Sequence, residues 1–478
     1  MTVTAPVENQ TTQSLSRLWL YFVSGSLLYA VPAMWLLRNY LQPTFDLGIY
    51  DQSLWLLFHG ETFNTIIATH VFGAHLSPIL ILLSPLSLIP GGAYPELAFQ
   101  ALVIASGVYP VARLARSMGQ NQRWFVIAYA IHPAIIGGSW YGFRPWNLAV
   151  PVFAWAIYWI WSRPQPSTVI ASGLLLLVFR EDLAMWVGIA VLILAISGRY
   201  RWRDIWVPGV VLVLASGVVL LAVVPTFSPF ASYFFSDVTQ GEAASAAMLG
   251  SSFALRAVFL FAPLALSPAR IRWVLATPLL IPIAGLLARG GNGLTTFYHY
   301  DMMFVPLVIL IAGLSPKAEL RIAPLVAMSL LVLATLGPLR PFDPKYGPNP
   351  FRIDTEVTAQ LDETLVALLS LDGATTDSLA APSRLLPHLS ERPNAFIFPS
   401  PWDRHPDDNS GYGQVDRVEY RCPDPNIVVQ DRLAPAPVWS ESRDDFYAKV
   451  SSGDRYSIWV RHPRTGDQPC DSLWFPAG

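Results

Sequence analysis

Charge is what this sequence has least of. Only 13% of its 478 residues are Asp, Glu, Lys or Arg, while 53% are hydrophobic. Soluble domains carry about 25% charged residues, so this chain lacks the polar side chains to cover a water-facing surface of its size. Cysteine is nearly absent, with two in the whole chain, which excludes a disulfide-stapled scaffold. No basic cluster exceeds three residues and the formal net charge is −2. Nothing here supplies the positive field that nucleic-acid binding needs.

What charge there is lies unevenly. Residues 1–339 hold 17 Lys/Arg and 12 Asp/Glu, whereas 340–478 hold 14 and 21 in fewer than half as many positions. The first part is built for lipid and the second for water. A helix needs roughly 20 mostly apolar residues to cross a hydrocarbon core. The apolar runs predict eleven spans: 18–37, 96–112, 124–138, 146–162, 168–180, 182–197, 205–224, 252–267, 273–288, 302–315 and 322–338.

Orientation follows from the basic residues, which collect on the cytoplasmic side. Arg17, the group Arg113/Arg116/Arg123, Arg163, the run Arg199/Arg201/Arg203, Arg270/Arg272 and Lys317/Arg321 fall in alternate connections. These are 12 of the 17 basic residues of the first part. The N-terminus is therefore expected inside and the charged tail outside, on a multi-pass inner (cell) membrane protein. The scheme requires that the apolar stretch 75–90 not cross. Pro78, Pro85 and Pro90 interrupt helices there, so it reads as re-entrant or interfacial. Residues 1–16 read as a disordered cytoplasmic lead rather than a signal peptide.

Three segments are thus expected: the lead 1–16, a membrane domain 17–339 with a long first external loop 38–95, and a soluble extracytoplasmic domain 340–478. In the last, Val357, Leu361, Leu365 and Leu368 recur at helical spacing. A short stretch DSLAAP follows, then helical SRLLPHLS and β-like NAFIFP and NIVVQDRL. DDFYAKV reads as helical and RYSIWVRH as a strand. The alternation predicts a small α/β layer with a three- or four-stranded sheet. No phosphate-cradling glycine loop or nucleophile elbow is present in it, which favours a capping or recognition role. Cys422 and Cys470 both lie in this tail, as a disulfide in an oxidising compartment would; two unrelated free thiols are the alternative.

The ionisable residues of the outer half gather in a few places. In the first loop Tyr50, Leu54, Leu57 and Phe58 predict an amphipathic interfacial helix over 47–59. Asp46 and Asp51 stand five positions apart on it, about 140° around a helix, so they share no face. Asp46 can equally be a helix cap. His70 and His75 with one Asp could hold a metal, but their spacing carries no metal signature. Arg180, Glu181 and Asp182 sit in a run too long for one crossing, so either two spans meet there or a helix breaks. Ionisable groups flanked by apolar residues are costly in lipid and mark function; a self-neutralising turn at the outer surface is the alternative. The connections 137–147 and 289–303 add Arg144, Arg289, Tyr298, His299 and Asp301. Trp140, Tyr141 and Trp146 read individually as belt aromatics, and His132 as a packing residue. Arginines gathered at headgroup level suit a phosphate.

FDLGIYDQSLW, HLSPILILLSPL, FREDLA and RLLPHLSERPNAFIFP resemble, in order and over nearly the whole chain, a family of bacterial multi-pass membrane proteins of unassigned function grouped with the GT-C-fold glycosyltransferases. The resemblance implies an all-α GT-C-like bundle with a C-terminal extracytoplasmic domain. It implies transfer of a sugar from a polyprenyl-phosphate donor, with an acidic residue of the first external loop as base or metal ligand. That residue would be Asp46, with Asp51 second, and a divalent metal is a possible cofactor. Where the family tends to place a His and a Glu, this chain has Arg144 and Asn147, which weakens a proton-transfer role for that loop.

The expected function is a membrane glycosyltransferase acting on the outer face. Asp46 would be catalytic, and Asp51, His75, Arg144, Arg180, Glu181, Asp182, Tyr298 and His299 would bind substrate. A transporter or lipid flippase, or a non-catalytic envelope assembly protein, is the alternative. No second copy of the triplet pattern is present, as inverted repeats would provide.

Overall fold

The computed structural model describes residues 11–42, 44–67, 69–73, 75–140, 142–196, 202–227, 302–314, 326, 330, 342–343, 347–348, 354–371, 377–397, 426–432 and 447–462. The predicted spans 252–267 and 273–288 lie outside them, as does nearly all of 322–338.

Up to residue 314 the described residues are mostly helical. Helix α1 (Thr11–Arg38) is followed by α2 (Thr44–Phe58), the short hairpin β1 (Phe63–Asn64) and β2 (Thr69–His70), and α3 (Ile79–Leu83) running into a 3-10 turn, Ser84–Leu88. Then come α4 (Tyr94–Ser106), α5 (Val108–Ser117), α6 (Gln122–Ala130), α7 (Pro133–Trp140), α8 (Ala149–Ser162), α9 (Pro166–Leu177) and α10 (Ala184–Ile196). Helix α11 (Trp202–Val218) continues through a π turn into α12 (Val224–Phe227), and α13 (Phe304–Gly313) ends this part.

Among the described residues three helical stretches are long and apolar enough to cross a bilayer: Leu18–Arg38, Tyr94–Ser117 and Val207–Phe227. The last exposes Val207, Val210, Val211, Leu214, Val218 and Leu221. An apolar surface of that extent marks contact with lipid or protein rather than water. Among the described residues the other predicted spans are shorter helices; α8, at 14 residues, is roughly 21 Å long. The predicted span 124–138 is broken between α6 and α7, where His132 precedes Pro133. Residues 79–88 form two short helical turns of roughly 17 Å, well short of a hydrocarbon core. Ile79, Leu80 and Leu83 face the protein while Ile81, Leu82 and Leu88 stay exposed.

The tail carries a second core. Helix α14 (Thr355–Leu369) lies where the spacing predicts it, capped by the Asp354 carboxylate, which accepts the Val357 N–H. It buries Leu361 and Leu368 against a mixed five-stranded sheet. After a small hairpin, β3 (Phe342–Asp343) and β4 (Gly347–Pro348), the sheet uses β5 (Leu379–Ala381), β6 (Ala395–Ile397), β7 (Ile427–Asp431), β8 (Tyr447–Ser452) and β9 (Tyr456–Arg461) in the order β6-β5-β7-β9-β8. β5 is parallel to β6 and β7, and β9 is antiparallel to β7 and β8. Two expectations change. The sheet has five strands because DSLAAP supplies β5, and the DDFYAKV segment yields an edge strand rather than a helix. Pairing along the whole of β9 outweighs the local helical preference of Ala448 and Lys449.

The two parts are docked through the first loop. Arg38 pairs with Asp362 at 2.7 Å, and the Tyr40 hydroxyl donates to the same carboxylate at 2.9 Å. Tyr40, in the left-handed region at φ 55°, sits inside the tail's core. The Thr65 hydroxyl donates to the Ala395 carbonyl and accepts its N–H, at 2.7 and 2.9 Å, adding a rung to the edge of β6. Gln52 donates to the Thr65 hydroxyl and to the carbonyls of Arg392 and Pro393. This corrects the reading of α2 as an amphipathic helix lying at the membrane interface. Asp51, Gln52 and Ser53 are as buried as Leu54, because the tail covers the polar side.

Candidate functional site

The long apolar run around the ionisable triplet is two helices. α9 stops at Leu177 and α10 starts at Ala184, and the turns between are held by local bonds from Phe179 N–H to Leu176 O and from Leu183 N–H to Arg180 O. A second segment caps the break. The Ile79 N–H donates to the Val178 carbonyl at 2.9 Å, Leu76 N–H donates to Glu181 Oε2 at 2.9 Å, and His75 Nδ1 meets Glu181 Oε1 at 2.9 Å. HLSP and FREDLA, about a hundred residues apart in sequence, are thus clamped together at their backbones and side chains.

Glu181 is 3% exposed and spends both oxygens on consecutive residues of the loop. A carboxylate only accepts, so Nδ1 of His75 must carry the hydrogen, which leaves Nε2 as the variable position of a ring that is 24% exposed. Beside it Arg180 is forked onto Asp182, Nε to Oδ1 and Nη2 to Oδ2, both at 2.5 Å. Such a bidentate pair is strong and directional. The four ionisable side chains form two internally compensated pairs.

Trp146 is the hub beneath them. The Arg180 guanidinium lies 4.9 Å over its ring, and His75 and Tyr50 approach it edge-on at 5.3 and 5.9 Å between centroids. Through Tyr50 the first turns of α2 join the cluster. Asp46 opens that helix one turn before Tyr50; its side chain lies outside the described residues. The loop bearing Trp146 is fixed by two buried amides. Gln42 accepts the Gly142 N–H and donates to the carbonyls of Ala33 and Trp140. Gln100 donates to the Gly142 carbonyl and accepts from the Arg144 N–H and from Asn147. Gly142 has φ +73°, a conformation that glycine adopts without steric cost. Arg144 is 3% exposed, its backbone committed to this turn.

Asp51 goes elsewhere. It is fully buried under the tail, where the Ser390 hydroxyl donates to its Oδ2. Burial pushes its carboxyl well above the usual range, the charges of Glu96 and Glu391 add to that, and the Ser390 bond opposes it. His70 and His75 part company too: His70 Nδ1 accepts the Phe72 N–H and its ring packs on Phe72 and Phe227. Among the described residues no group of three His, Cys, Asp or Glu could hold a metal ion. His132 Nδ1 accepts the Ala134 N–H at the start of α7. Arg289, Tyr298, His299, Asp301, Tyr141 and both cysteines of the expected disulfide, Cys422 and Cys470, lie outside the described residues. Sequence reasoning missed Trp146, Gln42, Gln100, Glu96 and Ser390. Glu96, the lone acid of an apolar run, was the one with a signal.

The family model for DUF2079, described as a predicted membrane protein, matches residues 37–458, so the chain belongs to that family. ArnT from Cupriavidus metallidurans, crystallised bound to undecaprenyl phosphate, superposes with a TM-score of 0.54 at 13% identity, covering 94% of this chain and all of that one. At that identity the likeness is one of fold. No curated protein matches.

Proposed function

For this member of a membrane-protein family we propose a GT-C-like glycosyltransferase that transfers a sugar from a polyprenyl-phosphate donor to an acceptor on the outer face. The reading takes the eleven-span scheme, a cytoplasmic N-terminus and an extracytoplasmic tail. The observation that carries it is the packed cluster of His75, Glu181, Arg180 and Asp182 on Trp146, built next to the start of α2 in a chain with the fold of ArnT. ArnT was crystallised with a polyprenyl phosphate, which supports a lipid phosphate as partner here.

In this mechanism Asp46 accepts the proton of the acceptor hydroxyl as its oxygen attacks the anomeric carbon. The bond to the donor phosphate breaks, and the polyprenyl phosphate leaves with the electron pair. Arg180 neutralises that charge by sharing its guanidinium between Asp182 and the phosphate, and His75 offers Nε2 to the same pocket. Arg144, Tyr298 and His299 belong to the pocket's wall in this reading.

The test uses protein in lipid nanodiscs with a panel of undecaprenyl-phosphate hexoses. Release of undecaprenyl phosphate that is lost in Asp46→Asn and Arg180→Ala, with both variants folded, is the expected result. Turnover undiminished in Asp46→Asn removes that residue from the mechanism. Movement of intact donor between leaflets without cleavage would turn the assignment to a flippase.

A further inference from the structure

Three carboxylates that the proposed mechanism does not use meet where the tail docks. Asp51 comes from α2, Glu96 from the first turn of α4, and Glu391 from the turn after the 3-10 segment Leu386–His388. Asp51 and Glu96 are both 0% exposed. Oδ1 of Asp51, both oxygens of Glu96 and Oε1 of Glu391 are buried without a hydrogen-bond partner. Among the described residues the one side-chain bond to the group is that from Ser390 to Asp51. Buried carboxylates without donors are strongly disfavoured as anions, and three together more so.

Among the described residues no cation is paired with them. The charged groups acting on Asp51 are Glu96 and Glu391, both acidic. The elements packed most closely on α2 are α3, the turns 84–88 and 386–388, and β1, and their one titratable side chain is His388; the loop that reaches Tyr50 through Phe143 and Trp146 also carries the buried Arg144. Burial lowers that imidazole to about 4, and its ring packs at a tilt against Tyr40, so it is neutral through the physiological range. On α4, Tyr94 faces Arg38 and Asp362. Arg392, next to Glu391, donates from Nε to the Leu389 carbonyl and from Nη1 to that of Asp377. Among the described residues no three such groups are arranged to hold a metal, which leaves protons as the neutralising charge.

We propose that Asp51, Glu96 and Glu391 form a shared proton-binding cluster that makes docking of the tail on α2 a pH-sensitive latch. Protonated, the cluster lets α2 and the Ser390–Arg392 turn stay packed; ionised, it drives them apart. Because α2 also carries Asp46 and Tyr50, the latch couples the tail to the start of the candidate site. The direction follows from linkage. In the docked state Asp51 and Glu391 are held above the usual carboxylate range by burial. Released into water they return to about 4. Docking is therefore complete below that value and is lost as pH rises through the docked-state values.

Hydrogen exchange of the full chain in nanodiscs, corrected for intrinsic rate, tests this between pH 5 and 9. Peptides 47–56 and 389–397 should lose protection together, with an opening constant rising about tenfold per pH unit for each proton released. Peptide 355–369 should stay protected. The variant Asp51→Asn/Glu96→Gln/Glu391→Gln should abolish the slope. A wild-type protein flat across the range, or a triple variant with the wild-type slope, overturns the latch. Should the triple variant fail to fold, Glu391→Gln alone must lower the slope, and an unchanged slope is equally fatal.

Discussion

Replacing Glu181 tests the clamp on which the candidate site rests. The carboxylate accepts from a backbone N–H and from an imidazole, each at 2.9 Å, and is 3% exposed. Hydrogen bonds to a charged group contribute about 1.5–3 kcal/mol each. Glu181→Ala removes both, but water can reach the partly exposed His75, so about 2–4 kcal/mol of stability should be lost. Glu181→Gln is the sharper probe. Its carbonyl oxygen can still accept from Leu76, but then the amide N–H faces His75 Nδ1, which must become the acceptor. The ring should switch to the Nε2–H tautomer for about 1–2 kcal/mol. Denaturant titration in detergent measures the stabilities, and 15N NMR of labelled histidine, assigned with His75→Gln, reads the tautomer. An Ala variant within about 0.5 kcal/mol of wild type, together with an unshifted imidazole in the Gln variant, would refute the clamp.

Other consequences are simpler. Gly142→Ala forces a side chain into a left-handed turn and should cost about 1 kcal/mol or more in the same titration. Leu361→Ala empties a fully buried position of the tail's core, and about 3 kcal/mol should disappear, visible as faster exchange in 355–369 with the membrane helices unchanged. The Asp362 carboxyl is held below its usual range chiefly by the bond from Arg38. That stabilisation is complete above about pH 4 and is lost as pH falls. The pair is largely exposed, so Asp362→Asn should cost less than about 1 kcal/mol and flatten the acid limb of a stability–pH curve. Peptide mapping without reductant should recover residues 422 and 470 cross-linked if the tail matures in an oxidising compartment; free thiols at both would contradict that location.

Some of this was legible in the chain alone. Among the described residues the apolar runs marked where helices lie, three of them long enough to cross a bilayer, because a run of lipophilic side chains has few alternatives to burial in lipid. The ionisable triplet marked the break between α9 and α10, since such residues cannot continue a lipid-facing helix cheaply. Periodicity found α14 together with its apolar face. The four-residue spacing of apolar side chains on α2 was read correctly too, yet its environment was not, for nothing local says what will cover Asp51, Gln52 and Ser53.

Tertiary structure decided the pairings. That Glu181 holds His75 and Leu76 depends on contacts across about a hundred residues, and that Trp146 lies beneath Arg180 and His75 depends on contacts across several dozen, to which local preference is blind. The same holds for DDFYAKV, where the hydrogen bonds offered by β9 outweighed a weak helical tendency. Asp46 and Asp51 illustrate the division. Their 140° separation was a property of the helix and could be read from five positions of sequence. That Asp51 meets the tail was settled by what packs on α2, and packing is a property of the whole chain.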